Sequence, residues 1–246
     1  MFKFKINQVV FLGLLISVLV ISCTTYERIL ATPQAAPVEL GMIGDLDATV
    51  TTKEFQTIGI PQLNQKIRLT PVFRTFNAMD FKAYKKLKGQ QSLGFTVNYV
   101  DSLPVKPQYI RLKIQDQIAV LDELNATRNE NLKNQILTNT SADVVTQVDW
   151  VLSETFINQM KAADAIFLSQ NTNGIPLIVI SKNDQVSEIR FSEGLVLSYE
   201  VSQFCWGLNK RNEPELMAIS KPGESCNGDL KRNGNRLKKS KNLFNY

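Results

Sequence analysis

The chain has 246 residues, of which 43% are hydrophobic and 21% are charged, and it contains no histidine. This composition is ordinary for a globular protein, and the lack of histidine excludes Ser-His-Asp and Cys-His catalytic sites and all imidazole-based zinc or iron sites. The formal net charge of +5 comes from the two ends, because residues 24–220 hold 19 basic and 21 acidic side chains. The body of the protein is therefore nearly neutral.

A basic segment at residues 1–5 precedes an uncharged apolar run at residues 9–21, which is followed by Ser22 and Cys23. This layout is typical of a secretory signal peptide, and the run is shorter than the roughly 20 residues that a membrane-spanning helix needs. With Val20 three positions before the cysteine, the segment resembles the lipobox of bacterial lipoproteins. The alternative is an ordinary cysteine after a plain signal peptide or in an uncleaved anchor.

The lipoprotein resemblance covers only this N-terminal segment. It implies cleavage before Cys23, diacylation of the Cys23 thiol and N-acylation of the new terminus. Thr24 stands where the inner-membrane retention signal of such proteins has an aspartate, and Glu27 is a lone acidic residue nearby. The resemblance therefore implies delivery to the outer membrane, where a position facing the periplasm is favoured and the cell surface is the alternative.

Two cysteines remain if Cys23 carries the lipid. An exported chain passes through an oxidising compartment, where paired cysteines form disulfides, so we expect a Cys205–Cys226 bond. The alternatives are two buried free thiols or one reactive thiol, and a cytosolic location would reverse the prediction.

Four regions are expected along the chain: a signal peptide (1–22), a lipidated N-terminus and flexible tether (23–50), one globular domain (51–226) and a basic, disordered tail (227–246). Within the domain, loose alternation over residues 53–76 suggests one or two strands. Cleaner alternation predicts strands at residues 93–100 and 109–114. Residues 81–88 fit either a short helix or a basic loop.

The apolar periodicity changes in the middle of the chain. Residues 116–139 show helical spacing with an interruption near residue 125, and residues 144–152 are strand-like. A helix is expected from Glu154 onwards, with Ser153 as its N-cap.

The last third alternates β-rich runs with short Asn-, Asp- and Gly-containing loops, which indicates an antiparallel meander. In its longest run we expect Leu195, Leu197, Tyr199 and Val201 on one face and the intervening polar side chains on the other. The predicted fold class is α+β, with a mainly antiparallel sheet.

Catalytic signatures are scarce in this sequence. We find no Walker A loop, no G-x-G-x-x-G and no G-x-S-x-G. The densest acidic group is Asp116, Asp122, Glu123 and Glu130, which is expected to be a solvated helix face. No cofactor, metal or catalytic residue is predicted, and enzymatic activity is not expected.

Two candidate binding features remain. Phe204 and Trp206 flank Cys205 and fit either an aromatic platform for a glycan or peptide or packing against the disulfide, which we favour. The tail fits either contact with anionic headgroups or a solvated, disordered end. Its basic residues are Lys231, Arg232, Arg236, Lys238, Lys239 and Lys241.

The sequence favours a membrane-anchored envelope lipoprotein that acts as a binding or structural accessory component. The expected partners are the membrane, through the lipid, and another envelope protein; nucleic acid is not expected. The alternatives are a carboxylate-dependent glycan hydrolase and a carrier of a lipid or small ligand.

Overall fold

The computed structural model describes residues 28–31, 37–48, 53–89 and 93–237. Within these residues the fold is α+β and dominated by antiparallel β-structure, as predicted. The strands are β1 (Ile29–Leu30), β2 (Ile43–Ala48), β3 (Lys53–Gly59), β4 (Ile67–Thr75), β5 (Gln108–Ile114), β6 (Ala142–Val151), β7 (Ala165–Gln170), β8 (Pro176–Lys182), β9 (Gln185–Arg190), β10 (Leu195–Leu208) and β11 (Pro214–Ser220). The α-helices are α1 (Ala78–Lys88), α2 (Gln117–Asn125), α3 (Glu130–Thr138) and α4 (Glu154–Lys161).

The described strands belong to one hydrogen-bonded sheet with the order β1-β10-β6-β5-β4-β7-β8-β9. Strand β2 pairs with both β3 and β6, and β11 pairs with β10. Strand β10 has 14 residues and pairs with β6 on one side and with β1 and β11 on the other. This long strand therefore joins β1, near the start of the described chain, and β11, near its end, to the same sheet.

The predicted meander is confirmed for β7, β8 and β9, which pair in sequence order, but not for β10, which pairs with β1, β6 and β11 instead of β9. The β8–β9 turn is made by Asn183 and Asp184, whose φ angles are 47° and 63°. Asn and Asp tolerate this left-handed region better than other non-glycine residues, and a two-residue turn with positive φ matches the twist of the paired strands.

The predicted helical region divides at the expected place into α2, a short 3₁₀ turn (Thr127–Asn129) and α3. Ala126 has an extended conformation, with φ −66° and ψ 147°, which ends α2. The amide of Asn129 donates hydrogen bonds to the Gln62 and Glu123 carbonyls, both at 2.8 Å. These bonds join the break between the two helices to the loop before β4.

Two hydrophobic cores lie along the sheet. The larger contains side chains from α2, α3 and α4 together with the sheet. The smaller lies under α1 and contains eight buried side chains. These are Phe76, Tyr84, Leu87, Val97, Tyr109, Val151, Leu195 and Leu197.

Two predicted region boundaries need correction. Residues 37–48, assigned to the tether, belong to the folded body, where Leu40 and Ile43 are buried and β2 pairs with β6. Residues 227–237, assigned to the disordered tail, also pack on the body, because Lys231 forms a β-bridge with Trp206 and Leu237 is buried. The alternation of Val38, Leu40 and Met42 follows directly on Pro37, and residues 227–237 contain only two leucines, Leu230 and Leu237, so no strong local pattern marked either segment as folded.

Two strand predictions also need correction. Residues 93–100 are not a strand, since the Val97 amide donates to the Tyr84 hydroxyl at 3.0 Å rather than to a neighbouring strand. In β10, the register shifts between Val196 and Ser198. This bulge places Leu197 in the smaller core, whereas Tyr199 is in the larger one.

Among the described residues, no helix has the length and apolar character needed to cross a membrane.

Candidate functional site: a lysine-rich aromatic face

Helix α1 begins at Asn77, whose side chain accepts a hydrogen bond from the Asp80 amide at 2.9 Å. Its buried residues, Asp80, Tyr84 and Leu87, are spaced by four and three positions and so share one side of the helix. This spacing holds α1 against the smaller core. The opposite side presents lysines, of which Lys82, Lys85 and Lys86 are exposed.

Residues 93–107 run alongside α1 and are held to it by the Val97–Tyr84 hydrogen bond. The segment also exposes apolar side chains, with Val100 57% and Val105 84% exposed. A hydrogen bond from the Leu103 amide to the Val100 carbonyl at 3.1 Å closes a turn over residues 100–103. We call α1 together with residues 93–107 the α1 face.

Aromatic rings and lysines are interleaved on the α1 face. The Phe81 ring lies 6.0 Å from Tyr84 and 5.1 Å from Tyr99, measured between centroids. Lys85 lies 4.7 Å from the Phe81 centroid, and Lys106 lies 5.6 Å from that of Tyr99. Such cation–π contacts hold the ammonium groups over the rings, and Lys106 also pairs with the exposed Asp101 at 3.5 Å.

Two open concavities border the segment 93–107. A groove of about 700 Å³ lies between this segment and α1, and its lining includes Phe81, Lys85, Lys88 and Val100. A cleft of about 730 Å³ lies between the segment and α4, and its lining includes Lys106 and Lys161. Both concavities thus combine cationic and apolar side chains.

An ion network lies beneath the α1 face and fixes it to the sheet. Asp149 on β6 accepts hydrogen bonds from Arg111 at 2.7 and 3.0 Å and from the Ser198 hydroxyl at 2.7 Å. Arg28 pairs with Asp149 at 2.8 Å and with Asp80 at 2.9 Å. The register places Arg111, Asp149 and Ser198 side by side on adjacent strands, so the sheet itself assembles this cluster.

Burial and charge shift the pKa values in this network. Burial disfavours the Arg28 cation, but Asp149 and Asp80 outweigh that effect and raise the pKa of Arg28. The hydrogen bonds from Arg111 to Asp149 raise the pKa of Arg111. Both guanidinium groups therefore stay charged: Arg28 ties residues 28–31 to α1 and β6, and Arg111 ties β5 to β6.

A second buried acidic pair lies at the other end of β6. Burial, followed by the nearby Asp45 carboxylate, raises the pKa of Asp143 to about 7. Asp45 accepts a hydrogen bond from the Asn139 amide at 2.6 Å, and one oxygen of each carboxylate is buried without a hydrogen-bond partner in the described residues.

The described part of the chain contains no group of three or more acidic or cysteine side chains that could hold a metal ion.

The predicted disulfide is present between Cys205 and Cys226, whose Cα atoms are 5.7 Å apart. Phe204 and Trp206 are only 3% and 2% exposed. They therefore pack in the core, as favoured from the sequence. The alternative, an exposed aromatic platform that binds a glycan or peptide, is wrong for these two rings.

Three basic residues of the C-terminal segment lie within the described part of the chain, and each belongs to a hydrogen-bonded structure. Arg232 donates hydrogen bonds to the Phe204 carbonyl at 3.3 Å and to the Glu224 carbonyl. Lys231 exchanges backbone hydrogen bonds with Trp206, and Arg236 lies in a 3₁₀ turn. Lys238, Lys239, Lys241 and the predicted lipid site Cys23 lie outside the described residues.

The predicted acidic helix face is only partly solvated. Asp122 and Glu130 are exposed, and the Asp116 side chain caps α2 by accepting from the Ala119 amide at 2.9 Å. Glu123 is 3% exposed and accepts from the Asn64 amide at 2.9 Å, besides pairing with Arg128. This carboxylate therefore holds the loop before β4 and is not a solvated surface group.

The α1 face was not among the sites predicted from the sequence. Its signal was the run of four lysines and two aromatic residues within residues 81–88, which the analysis left undecided between helix and loop. Comparison of the chain with models of protein families, with curated proteins and with solved structures gave no match.

Proposed function

We propose that this protein is a lipid-anchored component of the bacterial cell envelope that acts by binding, with the α1 face as its contact surface. The observation that carries the proposal is the α1 face itself, where exposed lysines, aromatic rings and two open concavities occur together. Surfaces of this composition bind anionic groups, because the ammonium groups supply charge and the rings supply apolar contact area.

A binding role also agrees with how the buried acidic groups are used. Asp149 and Asp80 are paired with arginines, and Glu123 is held by backbone amides and by Arg128. A carboxylate with all its acceptor positions engaged in structural bonds is poorly placed to transfer protons to a substrate. Asp149, Asp80 and Glu123 are therefore poor candidates for the catalytic carboxylates of a glycan hydrolase, whereas Asp45 and Asp143 each keep one oxygen without a hydrogen-bond partner in the described residues.

The anchor is proposed at Cys23, with the protein on the outer membrane and facing the periplasm. Its support is the lipobox-like sequence and the disulfide, which is typical of proteins exported to an oxidising compartment. Two or more acyl chains on one residue hold a protein stably at a bilayer, whereas a single chain binds only marginally.

The lipid anchor predicts a specific modification pattern in cells. When the full chain is expressed in a bacterium fed labelled palmitate, we expect label on the protein, a mature N-terminus at Cys23 and recovery in the membrane fraction. Cys23→Ala should lose the label and keep its leader, whereas the neighbouring control Thr24→Ala should behave like the parent. An intact mass with residue 1 still attached and Cys23 unmodified would contradict the proposal.

A further inference from the structure

We infer that the α1 face docks on an anionic phospholipid surface, so that the protein lies on its own membrane rather than extending away from it. The inference rests on the proposed anchor at Cys23 and goes beyond it by naming the surface of the protein that meets the bilayer and the class of lipid that it meets. Three features of the α1 face support it: its distance from the anchor, its charge and its exposed apolar side chains.

The first feature is the distance from the anchor. Arg28 is five residues after Cys23, and five residues span at most about 18 Å when fully extended. Arg28 is itself held beside the first turn of α1 through its 2.9 Å bond to Asp80. The anchor point therefore lies close to the α1 face, whereas β7, β8 and β9 form the opposite end of the strand order.

The second feature is charge. Helix α1 carries four lysines and one acidic residue, Asp80, which is buried and paired with Arg28. Among the described residues, no carboxylate forms a salt bridge with the exposed Lys82, Lys85 or Lys86. At an anionic leaflet each such lysine strengthens binding by roughly fivefold, so the three together provide a strong preference for anionic over zwitterionic lipid.

The third feature is the exposed apolar side chains beside these lysines. Val100 lines the same groove as Lys85 and Lys88, and Val105 is the most exposed large apolar residue described, at 84%. Apolar side chains flanked by lysines and tyrosines suit the bilayer interface. The apolar side chains enter the acyl boundary there, and the lysines and tyrosines remain among the headgroups.

A bilayer fits this surface better than a protein partner does. Lysine is depleted in the buried parts of protein–protein interfaces, because its flexible, strongly hydrated ammonium group is costly to desolvate. On a membrane the same ammonium groups stay hydrated at headgroup level while their alkyl stems pack below. The combination of several unpaired lysines with exposed valines therefore favours a lipid surface.

The test measures which lysines the bilayer covers. The lipidated full-length protein is added to the outside of preformed vesicles, either of phosphatidylcholine alone or of phosphatidylcholine with phosphatidylglycerol, and exposed lysines are acetylated in a short pulse and quantified by mass spectrometry. We expect labelling of Lys82, Lys85 and Lys86 to fall at least threefold on the phosphatidylglycerol vesicles and to recover in high salt. A matched set of exposed lysines far from the α1 face should not change. These are Lys66, Lys182 and Lys210.

Two charge-reversal variants separate docking from general electrostatics. Lys82→Glu/Lys85→Glu/Lys86→Glu should still float with both kinds of vesicle through its lipid, but it should lose the phosphatidylglycerol-dependent protection of Lys106. Lys66→Glu/Lys182→Glu/Lys210→Glu changes the net charge equally and should keep that protection. All six positions are exposed, so both variants are expected to fold; the α1 variant loses the Lys85–Phe81 contact and should unfold at a slightly lower temperature than the parent, which a thermal melt of each variant measures.

The outcomes distinguish the anchor from the docking surface. Flotation with both vesicles but equal labelling of the α1 lysines on each would overturn docking and leave the anchor standing. Flotation only with phosphatidylglycerol, dependent on the α1 lysines, would support docking and remove the anchor, and flotation with neither would remove both. Protection of these lysines in intact cells but on neither vesicle would assign the α1 face to a protein partner and refute the lipid surface.

Discussion

Asp149 is the residue through which the α1 face, the first described residues and the sheet are joined. It is 1% exposed and accepts bonds from Arg28, Arg111 and Ser198. Its carboxylate is thus the shared acceptor of two guanidinium groups that come from distant parts of the chain. Removing it leaves Arg111 without its carboxylate partner and Arg28 paired only with Asp80.

We therefore predict that Asp149→Ala lowers the free energy of unfolding by about 3–5 kcal/mol, the usual cost of leaving a buried ion without its partner. Urea unfolding at neutral pH measures the change. Arg111→Met should cost less, because Asp149 keeps its pairing with Arg28. The surface control Asp122→Ala should change the stability by no more than about 0.5 kcal/mol, and an Asp149→Ala effect that small would show that the network is not structural.

Asp143 gives the protein a pH-dependent stability. Its folded-state pKa of about 7 lies above the value of about 3.9 expected in the unfolded chain, so between these values the folded state holds a proton that the unfolded state releases. Stability from this group is therefore fully present at low pH and is lost as the pH rises towards 7. Glu39, whose pKa burial also raises to about 7, contributes in the same direction.

We expect Asp143→Asn to reduce this pH dependence, because the amide imitates the protonated acid and can donate to the Asp45 carboxylate. Each pKa unit corresponds to about 1.4 kcal/mol, so the variant should be more stable than the parent by about 2–4 kcal/mol at pH 8, and the difference should vanish as the pH approaches 4. Urea titrations across this range provide the measurement, and Glu39 and Glu200, whose pKa values burial also raises, contribute to the dependence that remains. A variant that is less stable than the parent at pH 8 would contradict the assignment.

At the scale of elements, the β10–β11 hairpin is closed by the Cys205–Cys226 disulfide, which spans 21 residues. Cys205 is buried beside Phe204 and Trp206, whereas the segment from residue 221 to residue 230 is largely exposed. The disulfide therefore restrains a region that has few core contacts of its own, and it positions Arg232 to reach the Phe204 carbonyl.

Replacing the pair as Cys205→Ala/Cys226→Ser should destabilise the protein by about 3 kcal/mol, the value that loop closure predicts for this length. The comparison is a set of urea unfolding curves with and without reductant. The parent should shift to the variant's midpoint when reduced, and the variant should not respond. A parent midpoint that ignores reductant would show that the bond contributes nothing to stability.

The elements that the sequence predicted correctly are those with local signals. The β8–β9 turn follows from Asn183 and Asp184, and the break between α2 and α3 follows from Asn- and Thr-containing sequence near residue 125. The incorrect predictions have distant causes. Residues 93–100 alternate like a strand, but their amide partner is the Tyr84 side chain, and the bulge at Leu197 is visible only in the pairing of β10 with β6.

The candidate site was missed for a related reason. The lysines of α1 can be read in the sequence, but their exposure depends on Asp80, Tyr84 and Leu87 being drawn to the other side of the helix. The ion network joins Arg28 to Ser198 across 170 residues. Nothing in local spacing indicates that pairing.

At the scale of the whole molecule, charge and structure divide the surface unevenly. The body is nearly neutral, yet α1 gathers four of its lysines on one short helix. Residues 28–31, the part of the described chain nearest the predicted anchor, lie beside the same helix through Arg28. This local concentration of positive charge gives a nearly neutral protein a side that an anionic surface can attract.

The position of β10 in the chain governs when the fold can be completed. This strand starts at Leu195, yet it is the partner of β1, β6 and β11. A chain made from its N-terminus cannot close the sheet until these late residues are available, and pairings this far apart in sequence form slowly. If the chain is exported as proposed above, that delay is useful, because a polypeptide that cannot yet close its sheet stays unfolded while it passes through a translocation channel.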